Sequence, residues 1–222
     1  MSVAPKRPVP VFPLPGLVLF PHALLPLHVF ELRYRTMVRD ALAGERLIAI
    51  ATLKQGWERD YHGSPEYHDL ATVAEFETAE WLPNDCYDLR MRGAIRVRLG
   101  RATREFPYRA CVVEPLPEAP YPEDDPLTTL ARRELLEQSR RLLPLGAEAW
   151  LMPPFASGDL VSSPYEAVVN TIAQALRMPG EEKLALLAMD SVIDRGRRLF
   201  DRLRRVTSGG RGPEPGEGGA RN

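Results

Sequence analysis

Lysine is nearly missing from this chain. Of its 29 basic residues only Lys6, Lys54 and Lys183 are lysine, and the others are arginine. That scarcity narrows the nucleophilic chemistry on offer. A Ser–Lys dyad would have to use one of the three. Lys6 lies close to the N-terminal end, Lys183 falls in the first turn of a predicted helix, and no serine cluster points to Lys54. No G-x-S-x-G, S-x-x-K or P-loop pattern occurs. Cysteine is scarce too: Cys86 and Cys111 make no C-x-x-C motif, which fits a reducing compartment better than a disulfide framework. The four histidines fall as His22 with His28 and His62 with His68, each pair straddling a proline. Neither spacing suits ligation from one helix face or a zinc finger. The expectation is a protein without metal, without cofactor and without catalysis.

Long apolar runs are also absent. Lys6 and Arg7 followed by apolar residues resemble the start of a signal peptide. Pro8, Pro10, Pro13, Pro15, Pro21 and Pro26 would break any helix there. No proline-free stretch of about 18 apolar residues exists, so no membrane segment is expected and a cytoplasmic location is. The net charge of −1 supplies no overall attraction to nucleic acid.

The chain does hold two regimes of periodicity. Residues 9–14 and 17–20 read as short strands around a Gly16 turn, and residues 24–30 continue extended. At Glu31 the period changes. Tyr34, Met37, Val38, Ala41 and Leu42 mark one face of a helix, with Glu31 at its N-terminal end and Gly44 as its cap. Residues 46–53 form a strand. In "TVAEFETAEWLPNDCYDLRMRGAIRVRL" the period is two, with Pro83–Asp85 as the turn. Tyr87, Leu89, Met91, Ile95, Val97 and Leu99 share one face, and Arg90, Arg92, Arg96 and Arg98 the other. Gly93 suggests a bulge. Residues 108–114 form a further strand.

Helical periodicity takes over after a proline-rich, acidic stretch. The expected organisation is a barrel lobe over 1–118, a connector over 119–126, a helical lobe over 127–206 and a disordered tail over 207–222. In the helical lobe, a first helix runs over 127–143 to Pro144. Ser163 to Glu166 match a capping box for a second helix. A long last helix starts near Glu181.

Several side chains invite a functional reading. The arginine stripe would suit RNA, but Glu75 and Glu77 on the hairpin partner would neutralise part of it, and no aromatic residues interleave for base stacking. The stretch 53–69 is a long insertion carrying Trp57, Tyr61 and Tyr67, and aromatic residues on such loops are the usual anchors of binding surfaces.

The opening "VFPLPGLVLFPHALLPLHVFELRYRTMVRDAL" resembles the start of the Lon protease N-terminal, substrate-binding domain family. Pro21, Pro26, Leu27, Phe30, Glu31, Arg33 and Tyr34 occupy that family's motif positions. Similarity continues through "LPNDCYDLRMRGAIRVRL", "YRACVVEPLPE" and "EEKLALLAMDSVIDRGRRLFDRL". The resemblance implies an α+β fold: a PUA-like β-barrel lobe with one helix, followed by a helical lobe ending in a long C-terminal helix. Pro21, Pro26, Phe30, Glu31, Arg33 and Tyr34 are expected to be structural. Glu31, Arg33 and Tyr34, the most family-specific polar cluster, could form a ligand site, and the reading favoured is that they pin the first helix to the barrel. Full-length Lon proteases continue into an AAA+ ATPase and a Ser–Lys peptidase, and this sequence is similar to the free-standing bacterial members that lack both. The expected function is non-enzymatic binding of polypeptide segments or a protein partner, with an RNA-binding PUA-like module as the alternative.

Overall fold

The computed structural model describes residues 5–60, 63–140 and 162–207. Strands β1 (Val9–Leu14) and β2 (Leu24–Val29) precede helix α1 (Leu32–Ala43). Strands β3 (Leu47–Leu53), β4 (Tyr67–Trp81), β5 (Tyr87–Arg104) and β6 (Ala110–Pro115) follow. Four helices complete the described chain: α2 (Pro126–Arg140), α3 (Tyr165–Ala175), α4 (Gly180–Leu187) and α5 (Val192–Thr207). The fold class is α+β, as expected.

The strands run β2-β5-β4-β3-β1-β6, and β6 also pairs with β5. Strands β5, β4, β3, β1 and β6 therefore close a small barrel, with β1 and β3 parallel and the other neighbours antiparallel. Strand β5 is long enough to serve two structures. Residues 97–104 complete the barrel against β6, while residues 87–92 pair with β2. Beyond the barrel, β2, β5 and β4 thus form a three-stranded arm.

A bulge at Ala94 separates the two halves of β5: Val73 pairs with Ile95, but Ala74 pairs with Gly93. Counting by twos through that extra residue gives the wrong face. Val97 and Leu99 point into the barrel with Val11, Ala49 and Val73. Tyr87, Leu89 and Met91 point instead into a second, larger core on the outside of the barrel, with Ile48, Ile50 and Phe76. The predicted single apolar face is therefore two faces. The arginine stripe splits at the same place: Arg96 is 1% exposed, whereas Arg90 and Arg92 pair with Glu77 in solvent. Gly93 has its own reason to lack a side chain, since a Cβ there would lie 2.2 Å from the Phe20 carbonyl oxygen.

Residues 17–20 are extended but join no ladder, contrary to the expected strand. Side chains satisfy their backbone instead. Thr52 and Thr72 donate hydroxyl protons at 2.6 Å to the carbonyls of Leu17 and Leu19, and the Phe20 N–H donates to Gln174 Oε1 at 3.1 Å. The segment carries Val18, Leu19 and Phe20 into the outer core, where Leu135, Val168, Ile172, Leu199 and Leu203 from the helices meet α1 and the sheet.

The predicted long last helix is broken between Leu187 and Val192. Ser191 Oγ accepts the Asp194 N–H at 3.2 Å and starts α5 afresh. The break releases carbonyls at the end of α4 that two buried arginines collect. Arg195 donates to Leu186 O at 3.1 Å and to Asn170 Oδ1 at 2.8 Å. Arg96, from β5, donates to Leu187 O at 2.8 Å. Glu118 lies between them, 2.8 Å from Arg96 and 2.9 Å from Arg195. The stretch expected as a connector is therefore fastened at both ends. The Leu116 N–H bonds Arg96 O and the Ala119 N–H bonds Asp190 O. Glu123 accepts the Tyr165 N–H at 3.0 Å. That last contact replaces the predicted capping box: α3 begins at Tyr165 with Pro164 as its capping residue. The predicted end of α2 at Pro144 lies outside the described residues. So does the tail, apart from Thr207, which closes α5.

Candidate recognition surface

The family-motif residues divide into packing and display. Pro21 is buried and Pro26 half-buried in β2. Tyr34 is 8% exposed, its ring centroid 4.4 Å from that of Phe12 and covered by Arg33 at 4.7 Å. Arg33 pairs with Glu31 at 3.1 Å and donates to Gly63 O at 3.1 Å. Glu31, Arg33 and Tyr34 thus tie the start of α1 to β1 and to the 54–66 loop. Phe30 behaves differently. It is 62% exposed.

Phe30 has company at the free end of the arm. Register aligns Val29 with Tyr87 and Tyr87 with Trp81, so Trp81 ends β4 level with the end of β2. Leu32 opens α1 directly after. Trp81 is 62% exposed and Leu32 68%. Summed over the end of the arm, the three side chains expose roughly 400 Å², with Trp81 and Leu32 on the α1 side and Phe30 on the His28 side. Other exposed large apolar side chains among the described residues are spread over the β5–β6 turn, β6, α2 and α5.

Both aromatic rings at the tip are held by polar partners. Trp81 Nε1 donates to Asp85 Oδ1 at 3.1 Å, and Asp85 is itself paired with Arg35, whose guanidinium also donates to the Asp85 carbonyl at 2.9 Å. Asp85 reaches this position with a φ of 59°, which Asp adopts at lower cost than most residues. Phe30 stacks on His28 with centroids 6.3 Å apart, and His28 Nδ1 lies 2.6 Å from Asp88. A shallow cleft of about 640 Å³ runs alongside, lined by residues 26–28, 78–80 and 88–90.

Of the predicted loop anchors, Tyr67 falls on the barrel. Strand β4 starts at Tyr67, paired with Leu53, so the loop is shorter than expected. Tyr67 packs against the barrel core, with Arg109 over its ring at 4.3 Å and its hydroxyl 3.4 Å from Cys111 Sγ; burial foremost pushes its pKa well up. Trp57 is half-buried in a single 3-10 turn, Trp57–Asp60. Tyr61 lies outside the described residues. Sequence reading missed Trp81 and Leu32, because an apolar residue ending a strand or opening a helix reads as core.

A second polar cluster, at the seam between barrel and helices, spends its chemistry on itself. Burial pushes the Glu118 carboxyl up and the Arg195 guanidinium down, with their mutual attraction working against both shifts. Burial also works to raise Glu166, but the hydrogen bond from His22, with the charges of His22, Arg195 and Arg96, holds it below the usual carboxylate value. Among the described residues no group of His, Cys, Asp and Glu could hold a metal ion, and no helix is long and apolar enough to cross a membrane.

Comparison with known proteins agrees with this architecture. The chain resembles the N-terminal domain of Mycobacterium avium complex Lon protease, with a TM-score of 0.65 at 20% identity over 89% of this chain and 98% of that one. It also resembles a Lon N-terminal domain protein from Xanthomonas campestris, with a TM-score of 0.62 at 24% identity over 88% and 98%. Lon protease 2 of Myxococcus xanthus is 26% identical over 199 residues, 89% of this chain and 23% of that protein. The chain spans about a quarter of the length of such relatives, and the match is to this one domain. Residues 8–205 fit the model of the ATP-dependent protease La (LON) substrate-binding domain, and the chain belongs to that family.

Proposed function

We propose that this chain recognises polypeptide through the tip of the arm and carries out no chemistry of its own. The observation that carries the reading is the exposure of Phe30, Leu32 and Trp81 at one end of the sheet, with the Trp81 ring hydrogen-bonded to Asp85 and Phe30 beside His28 before any ligand arrives. Exposed aromatic side chains that are already immobilised lose little entropy on binding, and aromatic residues dominate binding energy where they are well packed. The family's substrate-binding designation supports the same reading. Gly63 is tied to the start of α1 by the Arg33 bond, and Trp57 is a further candidate contact at the margin of the surface. The RNA alternative is less supported, because the bulge at Ala94 splits the arginine stripe and Arg96 is buried.

The test is titration of a labelled, permanently unfolded protein into wild type, Trp81→Ala and Phe30→Ala. Loss of an anchor should weaken binding thirtyfold or so, from about 2 kcal/mol, with melting temperatures unchanged. Unaltered affinity in both variants would remove the tip from consideration.

A further inference from the structure

The tip continues into the exposed face of α1, whose charge is not neutral. On α1, Leu32, Arg35, Thr36 and Arg39 fall at i, i+3, i+4 and i+7 and form the stripe opposite the buried residues Tyr34, Met37, Val38 and Ala41. The β4–β5 turn folds against this stripe, with Asp85 paired to Arg35. Asp85 cannot neutralise a second guanidinium as well. Arg39 Nη2 lies 3.9 Å from Asp85 Oδ1, and the Arg39 side chain is 61% exposed. Two arginines against one aspartate leave a net positive charge, and Arg39 is where it meets solvent. At the start of the helix Glu31 and Arg33 offset each other. The acidic residues of the arm, Glu80 and Asp88, pair across β4 and β5. They lie on the sheet face away from the outer core, whereas α1 packs on that core.

Resting on the reading of the tip as a polypeptide-binding surface, we propose that this exposed face of α1 selects segments in which an acidic residue lies about three residues from an apolar anchor. The anchor sits against Leu32 and Trp81, and the carboxylate pairs with Arg39. The spacing comes from geometry. Seven helical residues separate Leu32 from Arg39, a rise of about 10.5 Å. Extended chain covers about 3.3 Å per residue, so about three residues span it. A basic residue at that place meets Arg39 directly and is disfavoured.

The experiment uses two labelled unstructured peptides, identical except for Asp or Lys three residues from a Trp, titrated by fluorescence anisotropy at low salt and at about 0.5 M salt. Exposed ion pairs are individually weak, so the Asp peptide should bind about fivefold tighter than the Lys peptide at low salt, with the gap closing at high salt. Arg39→Gln should abolish the preference and Arg39→Glu reverse it, at unchanged melting temperature. Equal binding of the two peptides, or a preference that survives Arg39→Glu, overturns the charge selection while leaving polypeptide binding in place. Failure of wild type to bind either peptide or an unfolded protein overturns both.

Discussion

Replacing Glu118 by alanine should be among the most damaging single changes available outside the aliphatic core. The carboxylate lies 2.8 Å from Arg96 and 2.9 Å from Arg195, and both arginine side chains are 0% exposed. Removal would leave two buried guanidiniums facing each other with backbone carbonyls as their main partners. Breaking a buried pair from one side costs about 3–5 kcal/mol, against a total stability of about 5–15 kcal/mol. For a chain of this size each kcal/mol moves the melting temperature by about 2–4 °C, so a drop of about 6–20 °C is expected. Asp190→Ala is the internal control: it also contacts Arg96, at 3.2 Å, but its side chain is 73% exposed, and its loss should cost about 0.5 kcal/mol or less. Denaturant melts of Glu118→Ala, of Arg195→Met and of the double variant then form a cycle. The double variant should recover part of the loss, since one of the stranded charges is gone. A cost below about 1 kcal/mol for Glu118→Ala would refute the argument. It would mean that the carbonyls of Leu186, Leu187 and Pro117, with water, already satisfy both arginines.

Other perturbations test other elements. Gly93→Ala drives a methyl group against the Phe20 backbone and should cost about 1–3 kcal/mol or more in a denaturant melt, because backbone cannot step aside as a side chain can; Gly100→Ala, where the nearest atom is at 3.3 Å, should cost less. Glu166 is held below the usual carboxylate value, so its charge adds stability above its unfolded value of about 4.5 that is lost as pH falls through the lower folded value. The stability difference between wild type and Glu166→Gln should therefore be present at pH 7 and disappear in strong acid. A difference that stays constant with pH would show that the His22 contact contributes nothing.

Much of the architecture was legible because the relevant signals are local. The i, i+3, i+4 spacing of Tyr34, Met37, Val38 and Ala41 needs only the helix to be true, and those four are the buried residues of α1. The Pro83–Asp85 turn between two period-two runs needs only the hairpin. The failures lie where distant parts decide. A bulge cannot be counted from inside its own strand, so Arg96 reads as surface until Ala94 is seen to shift the phase. The helix break at Ser191 did leave a trace, Ser191 with Asp194 three residues on, but continuous apolar spacing across it was stronger. Gly44 does cap α1, as expected, but at a φ of −107°; the positive φ of 59° falls on Arg46. At the tip, apolar character was visible and exposure was not, because exposure depends on what fails to pack there.

Barrel closure is consistent with the proposed recognition at the tip and not at a strand edge. The barrel strands are paired on both sides within the barrel, which leaves the outer strands of the arm, β2 and the part of β4 beyond Glu75, as its open edges; β2 is the one that carries a proline. Edges of this kind invite strand addition, by a substrate or by a second copy. The Gly93 N–H donates to Ala23 O, and antiparallel alternation then turns the backbone groups of Leu25, Leu27 and Val29 toward β5. Leu24, Pro26 and His28 face outward. Proline in the middle of that outward row removes the one donor an added strand would need there. Pro26→Val should restore it, leave the β2–β5 ladder intact and so leave the melting temperature near that of wild type. The expected outcome is concentration-dependent self-association, measured by sedimentation velocity, in the variant alone. A variant that stays as dispersed as wild type at high concentration would show that something other than Pro26 guards the edge.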